Sequence, residues 1–129
     1  MPLVDVLDDT FVRAGRAAVR HETGSLWGSW LPGLRLRVAE DRAEAGVRWS
    51  AVSRATARGS SADLAGTAEV WLEAVPGGTV VHLYVRLDPA RSGAARPGWR
   101  ERRLPDRLRV GWKRGLNRSK DLMEGEWPG

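Results

Sequence analysis

The sequence predicts an α+β fold in which one antiparallel sheet is covered by a single long C-terminal helix. Three features predict it. Short runs alternate apolar and polar residues, as at Leu34–Glu40 and Val47–Ser53, the period of a half-buried antiparallel strand. Two β-type runs, TAEVWLEAV and TVVHLYVRLD, flank Pro76-Gly77-Gly78, the punctuation of a hairpin. The only long helical pattern comes last: Leu104, Leu108, Trp112, Leu116 and Met123 share one face at ~100° per residue. A sheet with one apolar face must be covered, and no other element is long enough to do it.

Taken in order, Leu3–Val12 reads as a first strand, with Phe11 and Val12 entering the core and Ala14-Gly15 ending it. Arg16–Thr23 reads as a short helix with Ala17, Ala18 and Val19 inward. A second short helix follows Gly24, capped by Ser25. It carries Trp27 and Trp30, three apart and therefore on one face, and Pro32-Gly33 stops it. In the strand Val47–Ser53, Trp49 shares the apolar side with Val47 and Ala51. Ala55–Ala65 is small, polar and weakly patterned, a loop or poorly formed strand.

In the hairpin Gly66–Asp88, pairing Val75 with Val80 sets Leu72 opposite Leu83 and Val70 opposite Val85. On the other face it sets Glu73 opposite His82, Trp71 opposite Tyr84 and Glu69 opposite Arg86, each a favourable cross-strand pair. Pro89–Gly98 is a linker. The firm part of the terminal helix is expected from about Pro105, tolerated at a first helical position, to Glu124, with Gly125 as its stop. Gly111, Gly115 and Ser119 run down its inward stripe. Small residues there leave room for a close approach, either by the protein's own sheet or by a ligand.

The totals bound the rest. A chain of 129 residues suits one domain, 1–129, with a core that needs no staples. The absence of cysteine excludes disulfides and thiolate metal sites. His21 and His82 are the only histidines, and neither a metal-ligand cluster nor a cofactor motif is present. The acidic start, MPLVDVLDD, lacks a signal peptide's basic and apolar regions, and no run approaches the ~20 apolar residues of a membrane span. A cytoplasmic protein is expected. Between Pro97 and Gly125 there are nine lysines and arginines against four acids, so the whole net charge of +5 resides there. That face is either simply solvated or anion-facing.

In their order, these motifs resemble the helix-grip fold of the START and birch-pollen-allergen superfamily, and more closely the bacterial polyketide cyclase/dehydrase and lipid-transport group (SRPBCC). The residues that carry the likeness span nearly the whole chain. They are the strand leading to Ala14, Trp27-Gly-Ser-Trp30-Leu-Pro32, Asp41-Arg42 before Gly46-Val-Arg-Trp49, Gly66 to Glu73, Val81 to Pro89, and the basic helix ending Lys120-Asp-Leu-Met-Glu. The resemblance implies a curved antiparallel sheet wrapped around the long helix, two short helices after the first strand, and an apolar cavity between sheet and helix. It further implies binding or transport of a hydrophobic molecule such as a lipid, polyketide or isoprenoid. The alternative activity it implies is polyketide-type cyclisation or dehydration.

The expected pocket is walled by Trp30, Trp49, Trp71, Leu72, Leu83, Leu108, Gly111, Trp112, Gly115 and Leu116, as apolar and aromatic side chains line most ligand sites. For chemistry, the candidates are Glu69, His82, Tyr84 and Arg86, which share one face of the hairpin with Trp71. Arg can steady a developing enolate and His or Tyr can move the proton. Which hairpin face points inward stays open at this level. Apolar burial favours Val70, Leu72, Leu83 and Val85; the opposite choice would line a polar pocket and leave an apolar outer face suited to a homodimer. A third reading uses the basic helix as an interaction module, although it lacks the stacking platform of a nucleic-acid site.

Overall fold

The computed structural model describes residues 4–53, 64–89 and 99–126, with side chains from 103 to 124 in the last stretch. The chain runs β1 (Val4–Val12), α1 (Arg16–Thr23), a 3-10 helix (Gly24–Trp30), β2 (Leu34–Asp41), a 3-10 turn (Ala43–Ala45), β3 (Gly46–Ser53), β4 (Leu64–Val75), β5 (Gly78–Pro89) and α2 (Trp99–Glu126). The expected loop at Ala55–Ala65 and linker at Pro89–Gly98 fall almost wholly outside the described residues; Leu64 and Ala65 belong to β4 and Pro89 to β5.

The strands form one antiparallel sheet in the order β1-β5-β4-β3-β2. Alternation decides its faces. Val4, Val6 and Val12 of β1, Val81, Leu83, Val85 and Leu87 of β5, Val70 and Leu72 of β4, and Val47, Trp49 and Ala51 of β3 are all buried on one side. They join Leu104, Leu108, Trp112, Leu116 and Met123 of α2 in a single core cluster. The apolar face of the hairpin is therefore the inner one.

The hairpin register differs from the expected one by two residues. Val75 pairs with Gly78, so Trp71 faces His82, Glu69 faces Tyr84 and Leu72 faces Val81. The loop is only Pro76-Gly77, with Gly77 at φ +86°, the positive φ that a type II turn requires at that position. Two contacts with the neighbouring end of β1 seat the start of β5 on the sheet edge. The buried Thr79 hydroxyl donates to the Ala14 carbonyl at 2.7 Å. Gly78 lies so close to the Val12 carbonyl that a side chain there could not be accommodated. A slide of two leaves every residue on its own face, which is why Val70, Leu72, Leu83 and Val85 still share one face, the one apolar burial favours.

Three further expectations are corrected. Phe11 is 41% exposed on the outer face, because strand alternation sends it opposite to Val12. The turn that carries the tryptophans is a 3-10 helix preceded by Thr23 rather than capped by Ser25. Helix α2 begins at Trp99, with Pro105 in its interior; burial of Leu104, one turn before Leu108, favours the helical turn that the proline's missing N–H weakens.

Candidate functional site

The interior between the sheet and α2 is built around four tryptophans. Trp27 is fully buried. Its Nε1 donates to the Thr23 hydroxyl at 2.8 Å, and that hydroxyl donates to the Val19 carbonyl at 2.6 Å. The chain from α1 into the 3-10 helix is thus locked by one buried relay. Trp27 meets Trp49 edge-on at 6.4 Å between centroids, and the Arg20 guanidinium lies 5.1 Å over its ring. Trp112, also fully buried, meets Trp30 edge-on at 5.4 Å. Its Nε1 has no hydrogen-bond partner among the described residues. An unpaired buried donor costs about 1–3 kcal/mol.

The small-residue line of α2 is occupied by the protein itself. A Cβ at Gly111 would stand 2.8 Å from both the Pro32 ring and the Trp30 carbonyl. A Cβ at Gly115 would fall inside the Trp30 indole. The glycines are a slot for Trp30 and Pro32. The close approach expected along this stripe comes from the 3-10 helix and the residues after it, neither from a strand nor from free space.

Of the expected pocket residues, Trp49, Leu72, Leu83, Leu108, Trp112 and Leu116 converge in the buried interior. Trp30, Gly111 and Gly115 sit together at its edge. Trp71 does not join them: it stands on the outer face, stacked on His82 at 4.6 Å and 14°. The catalytic candidates stand there too. His82 Nδ1 lies 2.5 Å from Asp9 Oδ1, and Nε2 lies 2.9 Å from Glu73 Oε1. Burial pushes the His82 pKa down, but its bonds to the two carboxylates and their charges outweigh this and hold it above the ordinary range. The Tyr84 phenol is held above its ordinary range first by its hydrogen bond to Asp5, then by burial and the Asp5 charge, so it is a poor proton donor near neutrality. Arg86 is exposed, 3.7 Å from Asp88. Glu69 accepts from Arg42 at 2.6 Å. None of these four projects toward α2.

Two polar features were missed in the sequence. On the inner face of β1, Lys113 Nζ of α2 lies 3.1 Å from Asp8 Oδ1 and donates to the Thr10 hydroxyl at 2.6 Å; that hydroxyl donates to Asp8 Oδ2 at 3.1 Å. The alternation Val4, Val6, Asp8, Thr10, Val12 already places Asp8 on the inward side. The second is an open pocket of about 390 Å³ lined by Arg42, Ala45, Glu69, Trp71 and Leu72. Its rim is closed on itself, since Arg42 is bonded to both Glu40 and Glu69.

The layout, one antiparallel sheet with a long C-terminal helix on its inner face, is now complete. It is the helix-grip fold. The chain is similar to protein MLL2253 of Mesorhizobium loti, with a TM-score of 0.63 at 12% identity over 95% of this chain and 98% of that one. It is similar to DR_A0006 of Deinococcus radiodurans, with a TM-score of 0.56 at 17% identity over 96% and 100%. At these identities the likeness concerns the fold. A looser one, with a TM-score of 0.43 at 15% identity over 95% of this chain and 51% of the other, is to the di-domain ARO/CYC StfQ of the steffimycin biosynthetic pathway. No protein-family model matches the chain, and no curated protein matches it. The layout expected from the sequence, an antiparallel sheet gripping a long C-terminal helix, is the layout the chain has. Among the described residues, no helix is long and apolar enough to cross a membrane.

Proposed function

We propose that the chain binds a hydrophobic small molecule bearing a hydrogen-bond acceptor, such as the carbonyl of a lipid, polyketide or isoprenoid, in the interior between the sheet and α2. The observation that carries this is the Trp112 indole N–H, fully buried and without a partner among the described residues. It lies on a helix whose buried neighbours Leu108 and Leu116 are apolar. Native interiors leave few donors unpaired, and an acceptor reaching this one would be recognised at a single defined atom. The same fold in other chains is associated, through the sequence resemblance, with ligand binding and with cyclisation. Binding is the reading favoured here because the hairpin groups suited to cyclase chemistry face away from the interior.

The test is titration of intrinsic tryptophan fluorescence, alongside thermal shift, with a long-chain fatty acid, an aromatic polyketone and an isoprenoid ketone. A saturable change with one of them is expected, weakened about five- to tenfold in Trp112→Phe, the loss of one neutral hydrogen bond. No response to any of the three would overturn the proposal, as would equal affinity in the phenylalanine variant.

A further inference from the structure

The outer face of the sheet carries charge in a pattern that its own copy would complement. Across the five strands, one row reads Arg37, Ser50, Thr67, Arg86, Asp5 from β2 to β1. The next reads Glu40, Arg48, Glu69, Tyr84, Leu7 from β2 to β1. The β2–β3 side has a basic excess: Arg35, Arg37 and Arg48 are exposed against the single acid Glu40, which is paired with Arg42, and neither Arg35 nor Arg37 has an ion-pair partner among the described residues. The β1 side is acidic and apolar, with Asp5, Asp9, Leu7 at 59% and Phe11 at 41% exposure. The half-buried Trp71 and Tyr84 lie between the two sides.

The strand order puts β4 in the middle. A two-fold axis lying along β4 in the plane of contact therefore sets β1 of one copy over β2 of the other, and β5 over β3. Rows are kept, so Asp5 comes over Arg37 and the Tyr84 ring over the Arg48 guanidinium, a cation–π pairing. Glu69 would meet its own equivalent on the axis, which is tolerable because Arg42 already neutralises it at 2.6 Å. Five strands at ~4.8 Å spacing and about eight residues of strand length give a flat area of roughly 500 Å², the scale of a small, transient interface rather than an obligate one.

We propose that this face forms a weak, salt-sensitive symmetric homodimer, with Asp5 of each copy paired to Arg37 of the other. Isologous contact requires this self-complementarity. Charge pairs at the periphery of such a contact contribute mainly to pairing specificity and salt dependence.

The experiment is sedimentation velocity over a concentration series at low and at high salt, on the wild type, Arg37→Asp, Asp5→Arg and the double variant. Thermal melts of each confirm that it is folded; the Arg37 variant sits on an exposed edge position and keeps the comparison valid even if Asp5→Arg perturbs Tyr84. Dimerisation at low salt, lost at high salt, weakened about tenfold in each single variant and restored in the double one, is the expected result. A monomer at every concentration in low salt overturns the proposal. So does a dimer that ignores the single reversals, or one that the double reversal fails to restore.

Discussion

Gly115→Ala inverts the usual effect of removing a glycine from a helix. In an exposed helix interior the change stabilises by about 1 kcal/mol. Here the new methyl group would overlap the Trp30 indole, well inside the 3.0 Å that no real Cβ contact shows. That ring cannot swing aside freely, because Trp112 lies edge-on to it at 5.4 Å. Overpacking of this kind costs about 1–3 kcal/mol, and expelling a half-buried tryptophan costs about as much. The net expectation is a loss of about 1–2 kcal/mol, or ~3–8 °C in Tm for a domain of this size. Trp30→Ala empties the slot. In that background, the same Gly115→Ala change should stabilise by up to ~1 kcal/mol, so its effect changes sign. Urea unfolding followed by circular dichroism on the four proteins of the cycle reads this directly. If Gly115→Ala raises Tm in the wild type, or acts equally in both backgrounds, the glycine line is not a slot for Trp30.

Two other perturbations follow from the same packing and pairing. Thr23→Val should leave the Trp27 N–H buried and unpaired and cost about 1–3 kcal/mol by chemical denaturation, whereas Thr23→Ser should recover most of it. His82 has its folded-state pKa raised above 6.5, so its clamp across β1, β5 and β4 contributes fully below that value and is lost as pH rises through the folded pKa. The Tm advantage of wild type over His82→Gln should therefore shrink as pH rises from about 6, and a difference that instead grew with pH would refute the pairing.

The order of elements and the sorting of most residues by face were legible because each rests on a periodicity the sequence displays directly, although Phe11 and Ala17, expected inward, are exposed. Arg16–Thr23 as a helix, Trp49 inward and Leu104, Leu108, Trp112 and Leu116 on one helical face all follow from spacing. The hairpin register was not legible, because a slide of two residues changes no face and no local pairing rule forbids it. It is set by the two-residue Pro76-Gly77 turn joining Val75 to Gly78, and the turn end is seated by Thr79 reaching Ala14 and Gly78 lying against Val12, more than sixty residues earlier. The role of Gly111 and Gly115 was half legible. Their line announced a close approach, but the occupant comes from a segment some eighty residues upstream, and no pattern along the chain links Trp30 to Gly115. Trp71 shows a different limit: alternation sets it on the face opposite to Val70 and Leu72, but only the whole sheet decides that this face is the outer one, so the tryptophan expected as a pocket wall stacks on His82 outside.

Filling the glycine line changes which parts of the interior can yield. Opening the molecule along the 3-10 helix would withdraw Trp30 from its slot and disturb the Trp27–Thr23 relay, exposing two large aromatics at about 1.5–3 kcal/mol or more each. The seam between β1 and α2 is held differently. Lys113 bridges to Asp8 and Thr10, and Glu124 Oε2 accepts the Arg13 backbone N–H at 2.9 Å. The Lys113 side chain is 42% exposed, and partly solvated ion pairs are worth little, up to ~1 kcal/mol. Parting β1 from α2 would in addition uncover Val4, Val6 and Val12, fully buried in the cluster they share with α2, so apolar burial holds both seams. What sets the β1 seam apart is its polar bridge, and the Trp112 donor sits one residue from Lys113, the side chain that makes it.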